Sequence, residues 1–481
     1  MILCLICTFA NCITIKQNKM IKKLIFLSAI ILFANTSNAQ GYKISVQVKN
    51  LSDSSIYLGY HYGDGFFVID TVQLDTEGKA VFSKNKALKG GIYFILFPKG
   101  KYFDFLIDKD QNFEITTDTV NFLHTVRFKD SYQNDLFFRY QNYLNNVYRQ
   151  IALLREKQKT LLGSMDSLMA VEQQIEIYQN KVYLEKEKLA NQHPDSLISV
   201  LIKAGLPIIP PPAPRDTSGA PIDSLFEYKY VKAHFFDNFN FADERLIRTS
   251  LLNNKVLEYL TRMVPQYPDT IIKELDWVLD KAKANDEVYK FILNTLFSYY
   301  SRSSIISDEN VFVHIAENYM ITDKAPWVSE DFKTKLKEDI ALRKPNLVGK
   351  KAPDFSMQDI NNKTVNLRDV QNNYVVLYFY NPDCEICKEV TPELMNFYRI
   401  IKDRGVSIIA INTGEDKDVW KTYVNDNYMK VINLWDPKNK SGYRELYNIK
   451  GTPLIFLLDE DQKIITKRVT VEQLMGFFNT L

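Results

Sequence analysis

Apolar and polar residues alternate along this chain with two different periods, and the switches between them divide it into segments. From 42 to 128 the period is two, as in Ile44, Val46, Val48 and again in Ile56, Leu58, Tyr60, Tyr62. That spacing places one set of side chains on one face of an extended strand. Further runs at 66–69, 79–82, 92–97, 102–107 and 113–116 are separated by turn signals such as Gly63-Asp64-Gly65 and Glu77-Gly78. Seven or eight short strands at this spacing predict a β-sandwich over 42–130. No catalytic cluster stands out in it.

Near Asn134 the period becomes helical. Leu154, Leu161, Leu168, Ile175, Val182 and Leu189 recur every seven residues, with Met165, Val171 and Tyr178 between them. The pattern predicts a long coiled-coil-like helix, or a helical hairpin broken near Gly163-Ser164, whose stripe is either a homodimer seam or an intramolecular contact. A proline-rich loop at 207–221 follows, and then a helical, aromatic-rich stretch to about Arg343, making an α-helical accessory domain over 134–345. Asp243, Glu244 and Arg245 are neighbours in sequence and cannot converge from one helix, so capping or ion pairing is expected of them.

Residues 346–481 alternate strand and helix signals, the mark of an α/β domain. The run 374–380 is continuously apolar, as expected of a central strand buried on both faces. It leads through Asn381-Pro382-Asp383 into Cys384-Glu385-Ile386-Cys387, after which a helical pattern continues to about Arg404. Strands are expected at 406–411, 431–435, 453–458 and 463–469, and helices at 415–428, 443–447 and from 471 onward.

Composition and charge sharpen this three-part organisation. A chain of 481 residues exceeds one ordinary domain, and 46% hydrophobic residues suffice for packed cores. Lys22 and Lys23, an apolar run at 24–34 and the small-residue box Ser37-Asn38-Ala39 form a signal-peptide pattern, with Met20 a better start than Met1. The apolar run is short against the ~20 residues a spanning helix needs. Cleavage near Ala39 and a periplasmic location are therefore expected, with no integral membrane anchor. Removing 1–39 takes away four lysines and no acid, moving the formal charge from +2 to −2. Nothing in that balance points to nucleic acid or an anionic membrane as partner. Three of the five cysteines leave with the leader, so the mature chain carries only Cys384 and Cys387. Its histidines (His61, His124, His193, His234, His314) show no metal-ligand spacing.

A C-x-x-C at a helix start places the first sulfur where free N–H groups and the helix dipole favour a thiolate, with the second one turn in and more buried. Cys384 is thus the expected nucleophile and Cys387 the resolving thiol. A half zinc site would need two more ligands, and no other Cys or His lies in this domain. A structural disulfide closing so short a loop would remove little chain entropy.

These residues resemble a known family. The segment Gly349-Lys350-Lys351-Ala352-Pro353-Asp354-Phe355, Pro392 five positions after Cys387, and Gly451-Thr452-Pro453 opening a strand are similar to the thioredoxin superfamily, specifically the TlpA/ResA-like exported thiol–disulfide oxidoreductases. The resemblance implies a thioredoxin-like fold, a cis Pro453 with Thr452 binding substrate, protein disulfides as substrates, an upstream thiol donor and no cofactor or metal. The upstream segments resemble accessory domains of multidomain envelope proteins. The chain departs from the family where Tyr378 replaces thioredoxin's buried acid and Val390 a glutamate of some relatives. Glu385 and Glu389 are candidate modulators of the cysteine pKa, and their charge favours a reductant over a strong oxidant. A scaffold protein with a vestigial redox domain is the rival from another class. A peroxiredoxin-like peroxidase fits poorly, since Leu377 and Asn381 stand where its Pro-x-x-x-Thr-x-x-Cys pattern requires Pro and Thr.

Overall fold

The structure, a computed structural model, describes residues 41–120, 125–161 and 165–480. The leader with its cleavage site near Ala39, the break at Gly163-Ser164 and His124 lie outside the described residues. The chain divides into two compact units, one comprising residues up to Pro207 with Arg245–Leu251, the other Ile208–Glu244 and Leu252–Leu481.

In the first unit eight strands form two four-stranded sheets. Strands β1 (Tyr42–Lys49), β4 (Lys79–Lys84), β7 (Asn112–Asp118) and β8 (Arg127–Lys129) make one, in the order β4-β1-β7-β8. β2 (Ser55–Tyr62), β3 (Gly65–Gln73), β5 (Gly91–Leu96) and β6 (Tyr102–Ile107) make the other, ordered β3-β2-β5-β6. Ile44 and Val46 from one sheet and Ile56, Ile95 and Phe105 from the other share a single buried core, so the period-two pattern does build a sandwich. All neighbours are antiparallel except β1 and β7, which run parallel with Lys43 opposite Asn112.

Helices α1 (Tyr132–Thr160), α2 (Met165–Gln192) and α3 (Leu197–Ala204) complete this unit. Of the seven-residue stripe, Ile175 and Val182 are buried between α1 and α2, where with Val171 they meet Val147 and Ile151 and the partly buried Leu154 and Leu161, while Leu189 packs with Leu197 and Ile198 of α3. Its apolar residues thus find intramolecular partners. Arg245 donates to both carboxylate oxygens of Asp108 at 3.1 Å, an ion pair as expected of that charged run.

The second unit begins with helices α4 (Phe226–His234), α5 (Leu251–Glu258, entering from Leu252), α6 (Pro268–Ala282), α7 (Asp286–Ser301), α8 (Asp308–Ile315) and α9 (Glu330–Arg343). It continues into a seven-stranded sheet ordered β10-β9-β13-β12-β11-β14-β15. Its strands are β9 (Ser356–Asp359), β10 (Thr364–Asn366), β11 (Tyr374–Tyr380), β12 (Val406–Asn412), β13 (Ile432–Trp435), β14 (Leu454–Leu458) and β15 (Ile464–Lys467). Helices α10 (Glu385–Ile401), α11 (Lys417–Asp426), α12 (Tyr443–Leu446) and α13 (Val471–Asn479) cover it. β11 is an interior strand, parallel to β12 and antiparallel to β14. Because side chains alternate across a strand, Val376, Tyr378 and Tyr380 join one core with Leu394, Trp420 and Phe478, while Val375, Leu377 and Phe379 join another with Phe355 and Tyr447. This double burial explains the unbroken apolar run.

A buried ion pair ties the helices of this unit to the sheet. Lys467 on β15 pairs with Glu309 on α8, both almost fully enclosed. Arg343 reaches the same carboxylate at 3.0 Å, and Lys467 also donates to Asn346 at 2.6 Å. Burial pushes the Lys467 ammonium down, and the Glu309 carboxylate opposes that shift.

Candidate active site

β11 ends at Tyr380, and the chain turns over Asn381-Pro382-Asp383 to start α10. The Asn381 side chain accepts from the Asp383 N–H at 2.9 Å and its carbonyl accepts from the Cys384 N–H at 3.0 Å. Cys384 is therefore the N-cap of α10, with extended backbone at φ −83° and ψ 119°. A cap normally offers a side-chain oxygen to the first free N–H groups. Here a sulfur takes that place, and Cys384 Sγ accepts from the Cys387 N–H at 3.3 Å. The same sulfur donates its proton to the Thr452 carbonyl, also at 3.3 Å. The Thr452–Pro453 bond is cis, as expected from the sequence, and it delivers that carbonyl to the cysteines from the start of β14.

The two thiols are reduced and sit differently: Cys384 is partly exposed and Cys387 fully buried. Their acidities diverge accordingly. Burial alone would raise the Cys384 thiol, but hydrogen bonds from the Cys387 side chain and N–H, from the Thr452 side chain and from the Ile386 N–H outweigh it and hold the thiol below the ordinary cysteine range. Cys387 is pushed up, first by burial and then by the neighbouring Cys384 sulfur. Brief iodoacetamide treatment of the reduced chain should label Cys384 and leave Cys387 unmodified, as read by peptide mass mapping. Because Cys384 loses its proton at lower pH than a free cysteine, its labelling rate should level off earlier as pH rises. Preferential labelling of Cys387 would reverse the assignment.

Glu385 and Glu389 are both exposed, and Glu385 pairs with Lys388 at 2.7 Å. The largest effects on Cys384 are burial and hydrogen bonds, so the carboxylates singled out in the sequence stand at the solvent rim of the site. Beneath Cys387 lies a set of groups that sequence reasoning had not assembled. Tyr378 Oη and Thr391 Oγ1 are 2.7 Å apart, and the Tyr423 hydroxyl reaches Thr391 Oγ1 at 2.8 Å and the Cys387 carbonyl at 2.9 Å. Tyr380 stacks between Tyr378 and Tyr423 with ring centroids 5.3 and 5.4 Å away, and its hydroxyl accepts from the Trp420 indole at 3.0 Å. Burial raises the phenols of Tyr378, Tyr380 and Tyr423, so all three are neutral at physiological pH. Tyr378 was visible in sequence only as a missing acid.

Histidines lie elsewhere: His61, His234 and His314 each contact a single carboxylate, on Asp104, Asp237 and Asp276. No cluster of three metal-ligating side chains occurs among the described residues, and no helix there is long and apolar enough to cross a membrane.

Comparison with known proteins finds family matches to three parts of the chain. The AhpC/TSA family matches residues 348–467, and two domains of unknown function, DUF4369 and DUF5106, match 42–137 and 221–346. The thiol-disulfide oxidoreductase ResA of Bacillus cereus is 30% identical over 137 residues, covering 28% of this chain and 78% of that protein. ResA of Bacillus subtilis is 30% identical over 139 residues, covering 28% and 75%. Among solved structures, a thioredoxin-like protein from Bacteroides caccae aligns with TM-score 0.42 at 21% identity over 57% of this chain and 98% of its own. The thioredoxin domain of a thiol-disulfide oxidoreductase from Bacteroides vulgatus aligns with TM-score 0.27 at 26% identity, covering 28% and 96%.

Proposed function

Through its carboxy-terminal domain the chain belongs to the ResA family of thiol–disulfide oxidoreductases, and we propose that it reduces disulfides of exported proteins in the periplasm. The observation that carries this reading is the pairing of a partly exposed, acid-shifted Cys384 at a helix N-terminus with a buried Cys387 one turn on. The Cys384 thiolate attacks one sulfur of a substrate disulfide, forming a mixed disulfide and releasing the other sulfur as a thiolate that takes up a proton. Cys387 then gives up its proton and attacks the Cys384 sulfur. That step forms the Cys384–Cys387 disulfide and frees the second substrate thiol. Two electrons pass to the substrate, and an upstream thiol donor must return them. Thr452 and Pro453 border the sulfur and serve as the backbone against which a substrate peptide lies. The cycle needs neither metal nor organic cofactor. The AhpC/TSA match suggests a peroxidase as an alternative, but Asn381 and Leu377 stand in place of the residues that pattern requires.

Direction follows from the balance around Cys384. A strongly stabilised thiolate makes a dithiol couple oxidising. Here the stabilising hydrogen bonds are opposed by burial, so the thiolate is favoured only against that opposition. Equilibrating the full chain with glutathione buffers should give a potential nearer thioredoxin's, about −270 mV, than DsbA's, about −120 mV. A value at the DsbA end would make the protein an oxidant.

A further inference from the structure

We propose that Tyr423 is a positioning residue for the resolving step, holding Cys387 in place through a hydroxyl chain that links it to Thr391 and Tyr378. This deepens the function proposed above and rests on it. The need for such a brace arises inside α10. Pro392 has no N–H, so the Lys388 carbonyl lacks its in-helix donor, and the turn carrying both cysteines is fastened less firmly to the rest of the helix. Cys384 has external anchors of its own in the Asn381 carbonyl and Thr452. Cys387 is buried one turn further in, and the bond from the Tyr423 hydroxyl to its carbonyl ties that turn to α11.

The chain has one consistent direction. Tyr423 donates its only proton to the Cys387 carbonyl, the Thr391 hydroxyl donates to Tyr423, and Tyr378 donates to Thr391. It thereby spans β11, α10 and α11, meeting α10 at Cys387 and at Thr391, the residue before the proline. Thr391 and Tyr378 are fully buried, so loss of one hydroxyl leaves a partner unsatisfied where water cannot replace it. The first attack, by Cys384, does not draw on this chain. The second requires the Cys387 sulfur to reach the Cys384 sulfur, and it does.

A chromogenic aryl disulfide, 5,5′-dithiobis(2-nitrobenzoic acid), separates the two steps in the reduced full-length chain. Attack by Cys384 forms an enzyme–aryl mixed disulfide and releases one coloured thiolate. Attack by Cys387 forms the intramolecular disulfide, releases the second and leaves one proton to solvent. In Tyr423→Phe the first release should keep its rate and the second should slow about tenfold, the scale of one lost buried hydrogen bond. Thr391→Val should behave alike, and Thr391→Ser, which restores a hydroxyl, should recover the second phase. Equal second phases in Tyr423→Phe and the unaltered chain would overturn the proposal, as would a slowing of both phases together. Absence of any first release from the unaltered chain would instead strike at the proposed function.

Discussion

The full chain carrying Cys384→Ser is expected to lose disulfide reduction down to the uncatalysed background, whereas Cys387→Ser is expected to stall with substrate attached. The asymmetry comes from where the two sulfurs sit. Cys384 is the thiol with access to solvent, and it caps a helix whose N–H groups lower its pKa. A serine hydroxyl there would keep the cap but would not ionise near neutrality, so it cannot open a disulfide. Cys387 is sealed from solvent and its thiol is held protonated by burial. Removing it leaves the first attack intact and deletes only the group that ends the mixed disulfide. The Cys387→Ser protein should therefore gain the mass of one substrate thiol, reversible by dithiothreitol, and should draw covalent adducts from an envelope extract. Adducts on Cys387 in the reciprocal Cys384→Ser variant would exchange the two roles.

The second large effect concerns stability. Glu309→Ala should lower stability by about 3–5 kcal/mol, because it strands an ammonium in a low-dielectric site. Lys467 is 1% exposed and Glu309 8%, so water cannot replace the lost partner. Arg343 would fare better, since it keeps Asp339 at 2.7 Å. Replacing both members of the pair, Glu309→Leu with Lys467→Met, should recover most of the loss by removing the stranded charge. Pulsed alkylation of Cys387 across a urea series provides a reporter within the same unit, because that thiol is fully enclosed until the unit opens. A Glu309→Ala midpoint equal to that of the unaltered chain would show the pair to contribute nothing.

Much of this architecture could be read from residue order. The strands and helices expected after residue 370 fall within a few residues of those observed, because most are apolar or periodic runs bounded by turn residues. The cysteine pair and the cis proline were legible because their chemistry is tied to short spacings. The hairpin of β9 and β10 was not, since Ser356–Asp359 and Thr364–Asn366 are short and mostly polar and show no clear alternation. Tyr423 and Thr391 were missed for a different reason. On their own helices they read as ordinary core positions, and only the meeting of α11 with α10 turns them into neighbours of Cys387. The pairing of Glu309 with Lys467 likewise depends on tertiary packing between segments far apart in sequence. Glu385 and Glu389 show the converse: nearness to Cys384 in sequence suggested influence, yet the helix turns both toward solvent.

The parallel pairing of β1 with β7 has a consequence for how the chain matures. β1 is the first described strand, but one of its two partners is the seventh of the eight strands in the sandwich. A polypeptide emerging amino-terminus first, whether from a ribosome or across a membrane, must carry β1 with an open edge until five intervening strands have followed. Closing so long a loop is entropically slow. During that interval the alternating face of Ile44, Val46 and Val48 is available to any passing strand, so this amino-terminal segment is where a holding chaperone would do most to protect the nascent protein from aggregation.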